Sequence, residues 1–225
     1  TIAQTLGVKE AGQQPLLDSL KAYLRSKHLL LVLDNFEQVL AAAPAVAGLS
    51  ASASQLKLLV TSRTPLRLSG ERTYPVPPLE LTESVRLFAE RAHAAALDFD
   101  VTDENEAAVA EICRRLDGLP LAIELAATRI RSLPPPALLR RLDQRLKLLT
   151  GGAQDLDERQ RTLRGTIEWS YELLPQAERE LFARLGVFVG GSRLDAAEAL
   201  CGAIEIDVLD GLQSLVEKSL LRQRP

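Results

Sequence analysis

Residues Leu29-Leu30-Leu31-Val32-Leu33-Asp34 constrain this chain more than any other segment. A short, continuously apolar run reads as a strand buried on both faces, as in a parallel sheet. Leu56 to Val60, with Lys57 inside it, reads as a second buried strand that runs into Thr61-Ser62-Arg63. An acid where such a strand emerges lies at the carboxyl edge of the sheet, where open α/β folds bind ligands.

Around these strands the pattern is helical. Leu16, Leu17, Leu20 and Leu24 follow Pro15 at helical spacing, and Asn35 to Val39 leads into an alanine-rich helix ending near Leu49. Pro65, Gly70, Pro75, Pro77 and Pro78 predict loops around a short extended piece at Tyr74–Val76. Thr82 or Ser84 suits a helix cap, residues 103–117 form an amphipathic helix closed by Asp117-Gly118, and Pro120 suits the first turn of the next. Another helix follows over Ala137–Leu148, and Gly151-Gly152 marks a linker. Beyond it, helices over Thr162–Leu174, Gln176–Leu185, Asp195–Cys201 and Ile206–Lys218 are expected. Val187–Val189 is expected as a short strand or an extended turn, and Ser219–Arg222 as the start of a strand. The fold class is a partial parallel sheet followed by helical modules, mostly α overall.

Bulk properties exclude little. The 225 residues suffice for one large domain or two to three small ones. A net charge of −3 gives no global basic field, so nucleic-acid binding would need a local patch. Arg114, Arg115, Arg140, Arg141, Arg145, Arg159, Arg161 and Arg164 are interleaved with Asp143, Asp155, Asp157 and Glu158, and no clean phosphate-binding stripe emerges. Cys113 and Cys201 lack metal-site spacing and read as buried thiols in a reducing cytoplasm. No apolar segment is long enough to span a membrane. A chain that starts at Thr1 and holds no methionine is expected to be a segment of a longer protein.

Three pieces in order then carry a resemblance: Leu30-Leu31-Val32-Leu33-Asp34-Asn35, Leu59-Val60-Thr61-Ser62-Arg63 and Gly118-Leu119-Pro120-Leu121-Ala122. They resemble the NB-ARC group of STAND-type P-loop ATPases, in the versions found in bacterial LuxR- and AfsR-like transcriptional regulators. The run Arg161–Leu174 is similar to the start of that family's winged-helix domain. The resemblance implies that residues 1–80 are the C-terminal half of a nucleotide-binding domain. It further implies a helical domain over 81–150 and a winged-helix domain, cut short, over 151–225.

The resemblance also implies roles. Asp34 matches the Walker B acid that holds Mg2+, usually through water. Asn35 stands where many relatives have a second acid; an amide cannot act as a general base, which argues against fast hydrolysis. Glu37 is open to two readings, a substitute base or an exposed first-turn acid favoured by the helix dipole. Arg63 matches the arginine that senses the terminal phosphate, with Thr61 or Ser62 assisting by hydrogen bonding. Pro120 matches the proline that packs on adenine. Glu124 reads as solvated or salt-bridged, and Trp169 as a core and domain-contact residue.

The phosphate cradle Gly-x-x-x-x-Gly-Lys-Ser/Thr is absent, since no glycine here is followed by lysine. The expectation is therefore a switch, closed with ADP and open with ATP, whose P-loop lies upstream and whose sensor domain lies downstream. The parent is a slow ATPase, this segment alone is inactive, and residues 1–80 alone expose apolar surface or an open sheet edge. Self-assembly belongs to the ATP state, and DNA is reached through an attached effector domain. Two alternatives stay open, a nucleotide-independent interaction module and a winged-helix DNA binder.

Overall fold

A computed structural model describes residues 2–10, 14–150, 152 and 161–223. Gly151, Asp155, Asp157, Glu158 and Arg159 lie outside the described residues, as does the side chain of Arg145. Contacts divide the chain into two compact units, Thr1–Tyr74 with Leu181–Pro225, and Pro75–Glu180.

In the first unit, helices α1 (Ile2–Thr5) and α2 (Leu16–Leu24) precede strand β1 (Leu29–Leu33). A 3-10 segment (Phe36–Ala42) and helix α3 (Ala43–Ser52) then lead to strand β2 (Leu56–Val60). The two strands pair in parallel, from Leu29 opposite Leu56 to Leu33 opposite Val60. Alternate side chains point to opposite faces. Leu29, Leu31 and Leu58 pack inward on Leu20, Leu24, Leu49 and Leu56. A neighbouring cluster joins Leu33, Leu58 and Val60 to Phe36, Ala43 and Val46.

The opposite face is bare. Leu30, Val32 and Leu59 are 58%, 55% and 55% exposed, and Lys57 lies beside them in the register. The expectation of two strands buried on both faces is thus corrected. Among the described residues helices cover one side only, although parallel sheets ordinarily bury both. Apolar side chains within residues 1–80 are thus exposed on this face.

The same unit contains α11 (Leu194–Cys201) and α12 (Val208–Glu217). Val187–Val189 is a turn rather than a strand, and Tyr74–Val76 forms no ladder. Ser219–Arg222 is likewise not a strand. Ser219 takes φ 58°, and the N–H groups of Ser219 and Leu220 return to the carbonyls of Val216 and Leu215. That pair of bonds is a Schellman stop, which satisfies the last carbonyls of α12 and leaves no extended backbone there. Arg67, also left-handed, reaches Glu217 of α12 at 2.7 Å. The Arg67 hydrogen bond, then that of Gln213, holds the Glu217 carboxyl below its usual range.

The second unit is helical. Its helices are α4 (Leu81–Ala95), α5 (Glu106–Arg115), α6 (Pro120–Ala127), α7 (Pro135–Arg141), α8 (Arg145–Leu148) and α9 (Leu163–Glu172). Helix α10 (Gln176–Leu185) is divided between the units. Ser84, Phe88 and Ala92 recur every four residues along α4 and are its buried stripe. Helix α6 is buried along most of its length through Ala122, Ile123, Leu125, Ala126 and Ala127, so it forms the centre of this core.

Ser84 does not cap α4; its hydroxyl donates to the Leu79 carbonyl at 3.3 Å, and Glu80 stands at the cap position. The helix expected over Ala137–Leu148 is broken by a 3-10 turn at Leu142–Gln144. Arg129 fixes the chain after α8, donating to the carbonyls of Leu148 and Thr150 at 2.9 and 2.8 Å. Ser170, not Trp169, is the buried residue of α9; Trp169 is half-buried. Thr162 caps that helix, its hydroxyl accepting from the Gly165 N–H at 2.8 Å.

Candidate functional site

The parallel pairing brings the ends of both strands to one edge, and the side chains just beyond them meet. The Thr61 N–H donates to the Leu33 carbonyl at 2.9 Å, and the Phe36 N–H donates to the Thr61 carbonyl at 3.0 Å. The Thr61 hydroxyl donates to Asp34 Oδ1 at 2.5 Å and accepts from the Asn35 N–H at 3.1 Å. One threonine thereby orients the acid and satisfies the backbone that follows it.

Asn35 has a geometric role that sequence reasoning did not assign. Its φ of 57° and ψ of 43° are left-handed, a conformation that asparagine tolerates better than most residues. The turn at Asn35 lets Phe36, 5% exposed, anchor in the core. A strand exit ending in Asp-Asn was the signal available for this turn.

Glu37 differs from the exposed first-turn acid read from the sequence. Its side chain is 7% exposed, and its Oε1 stands 3.7 Å from Arg63 Nε. Its Oε2 is buried and meets no hydrogen-bond partner among the described residues. The first turn here is 3-10 and breaks at Val39 (φ −134°), so helical spacing was a poor guide to which side chains face water. Thr61 and Asp34 are exposed, while Arg63 is partly covered.

Could a divalent cation sit here? Among the described residues no group of three His, Cys, Asp or Glu side chains converges. Asp34 with the Thr61 hydroxyl supplies a single carboxylate at a solvated edge. That donor set fits Mg2+, which keeps several waters and binds through one or two carboxylates plus substrate phosphates. It does not fit a caged structural metal.

Pro120 belongs to the other unit. Leu119, extended before the proline, starts α6, and Pro120 is exposed in its first turn. Gly118 precedes them at φ 66°. A Cβ there would lie 2.3 Å from the Leu79 carbonyl oxygen. Glu124 is paired with Arg91 at 3.1 Å, in line with the salt-bridged reading. Arg115 is shared between Glu111 and Asp143 at 3.3 and 3.4 Å, and Arg114 also meets Glu111 at 3.2 Å. Cys113 and Cys201 are both buried free thiols.

No protein-family model matches the chain. Proteins of Mycobacterium bovis and Mycobacterium tuberculosis that carry the provisional name HTH-type transcriptional regulator are 43% identical to it over 226 residues. The match covers 98% of this chain and 26% of theirs. The chain is similar to one quarter of a longer protein. An uncharacterized protein of Mycobacterium tuberculosis is 42% identical over 201 residues, covering 88% of this chain and 51% of its own length. Among the described residues, no helix is long and apolar enough to cross a membrane.

Proposed function

We propose that this chain is part of a nucleotide-dependent switch within a bacterial transcriptional regulator. The observation that carries this reading is the parallel β1–β2 pair, which puts Asp34, Thr61 and Arg63 at one carboxyl edge. The provisional names of the mycobacterial relatives support the regulatory setting. Residues 1–80 serve as half of an NB-ARC-type nucleotide domain, 81–150 as its helical domain, and 151–225 as a winged-helix module.

ADP or ATP binds in the whole protein, whose phosphate cradle is supplied by sequence outside this chain. Asp34 would hold Mg2+, which would supply charge neutralisation at the phosphates. Thr61 keeps the Asp34 carboxylate aimed, and Arg63 supplies a fixed cation towards the terminal phosphate. Pro120 offers adenine an apolar face without a competing N–H. Asn35 offers no base, so turnover is slow and the nucleotide acts as a signal. DNA is met through an attached effector domain. Arg114 and Arg115 are held by acids in this segment.

Calorimetric titration of the full-length protein with ADP tests this. Binding is expected, with Asp34→Ala weakening it at least tenfold when magnesium is present and having little effect in EDTA. A full-length protein that ignores both ADP and ATP would remove the nucleotide. A second reading, a nucleotide-independent interaction module, has the bare face of Leu30, Val32 and Leu59 in its favour. It becomes the better account if nucleotide is ignored while polar substitutions on that face abolish a protein contact.

A further inference from the structure

Glu37 presents a carboxylate that is more than nine-tenths buried, with one oxygen beside Arg63 and the other without a hydrogen-bond partner among the described residues. Removing an acid from water is costly unless a counter-charge and N–H donors compensate it. Glu37 Oε1 faces the Arg63 guanidinium at the Nε edge, 3.7 Å away. The fork of arginine matches both oxygens of a carboxylate, so Oε2 is an acceptor of the kind that fork is shaped to fill. Glu37 is itself well fixed. Phe36 before it is 5% exposed and is hydrogen-bonded through its N–H to Thr61 at 3.0 Å.

We propose that Glu37 is a positioning residue for Arg63: its buried carboxylate grips the guanidinium and sets the direction of the charged fork at the sheet edge. The inference rests on the reading of Arg63 as the phosphate-facing cation. It assigns Glu37 a task other than proton abstraction. A carboxylate this covered and facing a guanidinium acts as a counter-charge, not as a base for solvent water. The guanidinium carries donors on both its Nε and amino edges, so a grip at one edge can aim the other at an anion. Discrimination between ATP and ADP then depends on Glu37 through Arg63 alone.

The test is a double-mutant cycle on the ratio of ATP to ADP affinity, measured by calorimetry with magnesium in the full-length protein. Glu37→Ala and Arg63→Ala are each expected to lower the ratio roughly tenfold, the scale of one hydrogen bond to a charged group. The double variant should fall no further. Glu37→Gln, which keeps an oxygen for the Nε–H and guards against misfolding, should fall in between. Losses that add in the double variant overturn the proposal, because Glu37 would then act independently of Arg63.

A second readout needs no nucleotide. In 15N-labelled chain of these 225 residues, the Arg63 Nε–H resonance, identified by its loss in Arg63→Lys, should shift and sharpen in Glu37→Gln as the side chain gains mobility. An unmoved resonance also overturns the proposal, while nucleotide binding that still depends on Asp34 would leave the switch intact. A resonance that moves in a protein blind to ATP and ADP supports the grip and rejects the nucleotide reading alone.

Discussion

Replacing Gly118 with alanine should destabilise the helical unit out of proportion to one added methyl group. Gly118 follows Asp117 in a left-handed pair, at φ 66° after 54°, where the chain stops α5 and enters α6. The Asp117 and Gly118 N–H groups return to the Arg114 and Cys113 carbonyls at 3.0 and 3.3 Å, closing α5. A left-handed alanine costs roughly 1–2 kcal/mol. Its Cβ would also fall 2.3 Å from the Leu79 carbonyl oxygen, in backbone that cannot turn aside like a side-chain tip. Relieving that overlap parts the Leu79 N–H from the Gly118 carbonyl, now 3.0 Å apart, and a lost hydrogen bond adds roughly 1 kcal/mol. The sum is about 2–3 kcal/mol. For a unit of this size, that lowers the melting temperature by on the order of 10–20 °C. Differential scanning calorimetry of Gly118→Ala checks it. Gly48→Ala is the control. In the interior of α3, an added Cβ would meet only the flexible Lys21 Cε at 3.6 Å, so a gain of up to about 1 kcal/mol is expected. If both variants melt within about 3 °C of the parent, the argument from the Leu79 contact is refuted.

Thr61→Val keeps the shape but removes the hydroxyl shared by Asp34 and Asn35; a loss of roughly 1–2 kcal/mol in urea unfolding is expected, with Thr61→Ser near the parent. Leu24→Ala, at a fully buried site, should cost about 2–5 kcal/mol. Val32→Thr on the bare face should cost well under about 1 kcal/mol and reduce dye binding and self-association by sedimentation; equal costs would contradict the one-sided sheet. Burial raises the Cys113 thiol from its ordinary value of 9.0 to about 11. The folded chain therefore holds a proton that the unfolded chain releases first. The stability this contributes is full below about pH 9 and is lost as pH rises through about 11. Denaturant melts at stepped pH should show that decline, smaller in Cys113→Ala, and fast thiol labelling of native chain at pH 8 would argue against it.

Much of the framework was legible because its signals are local. The two apolar runs are strands, and α4, α5 and α6 lie where periodicity and Pro120 put them. What escaped depends on contacts distant in sequence or on backbone that departs from helical period. The run Leu29–Leu33 cannot announce that only one face will be covered. The 3-10 turn after Asn35 buries Glu37 against Arg63, and no spacing rule links those two positions. Ser219 reads like the start of a strand, yet as a left-handed stop it ends α12. Of the candidate site, Asp34, Thr61 and Arg63 could be named as strand-exit residues, whereas the bridging role of the Thr61 hydroxyl and the turn at Asn35 needed the geometry.

The polar corner around Thr61 also bears on how the two strands find each other. Four of the five residues in β1 are leucine, as are three of the five in β2. Side chains so alike carry almost no information about alignment. A shift of two residues would turn the same face inward and sacrifice little apolar contact. It would, however, carry Thr61 roughly 6–7 Å away from Asp34 and strand the Asn35 N–H without its acceptor. A few polar atoms at the strand exit thus tell the correct alignment from a near neighbour that leucines alone would accept. Variants at Thr61 chosen to probe ligand binding would then loosen the proofreading of the fold as well.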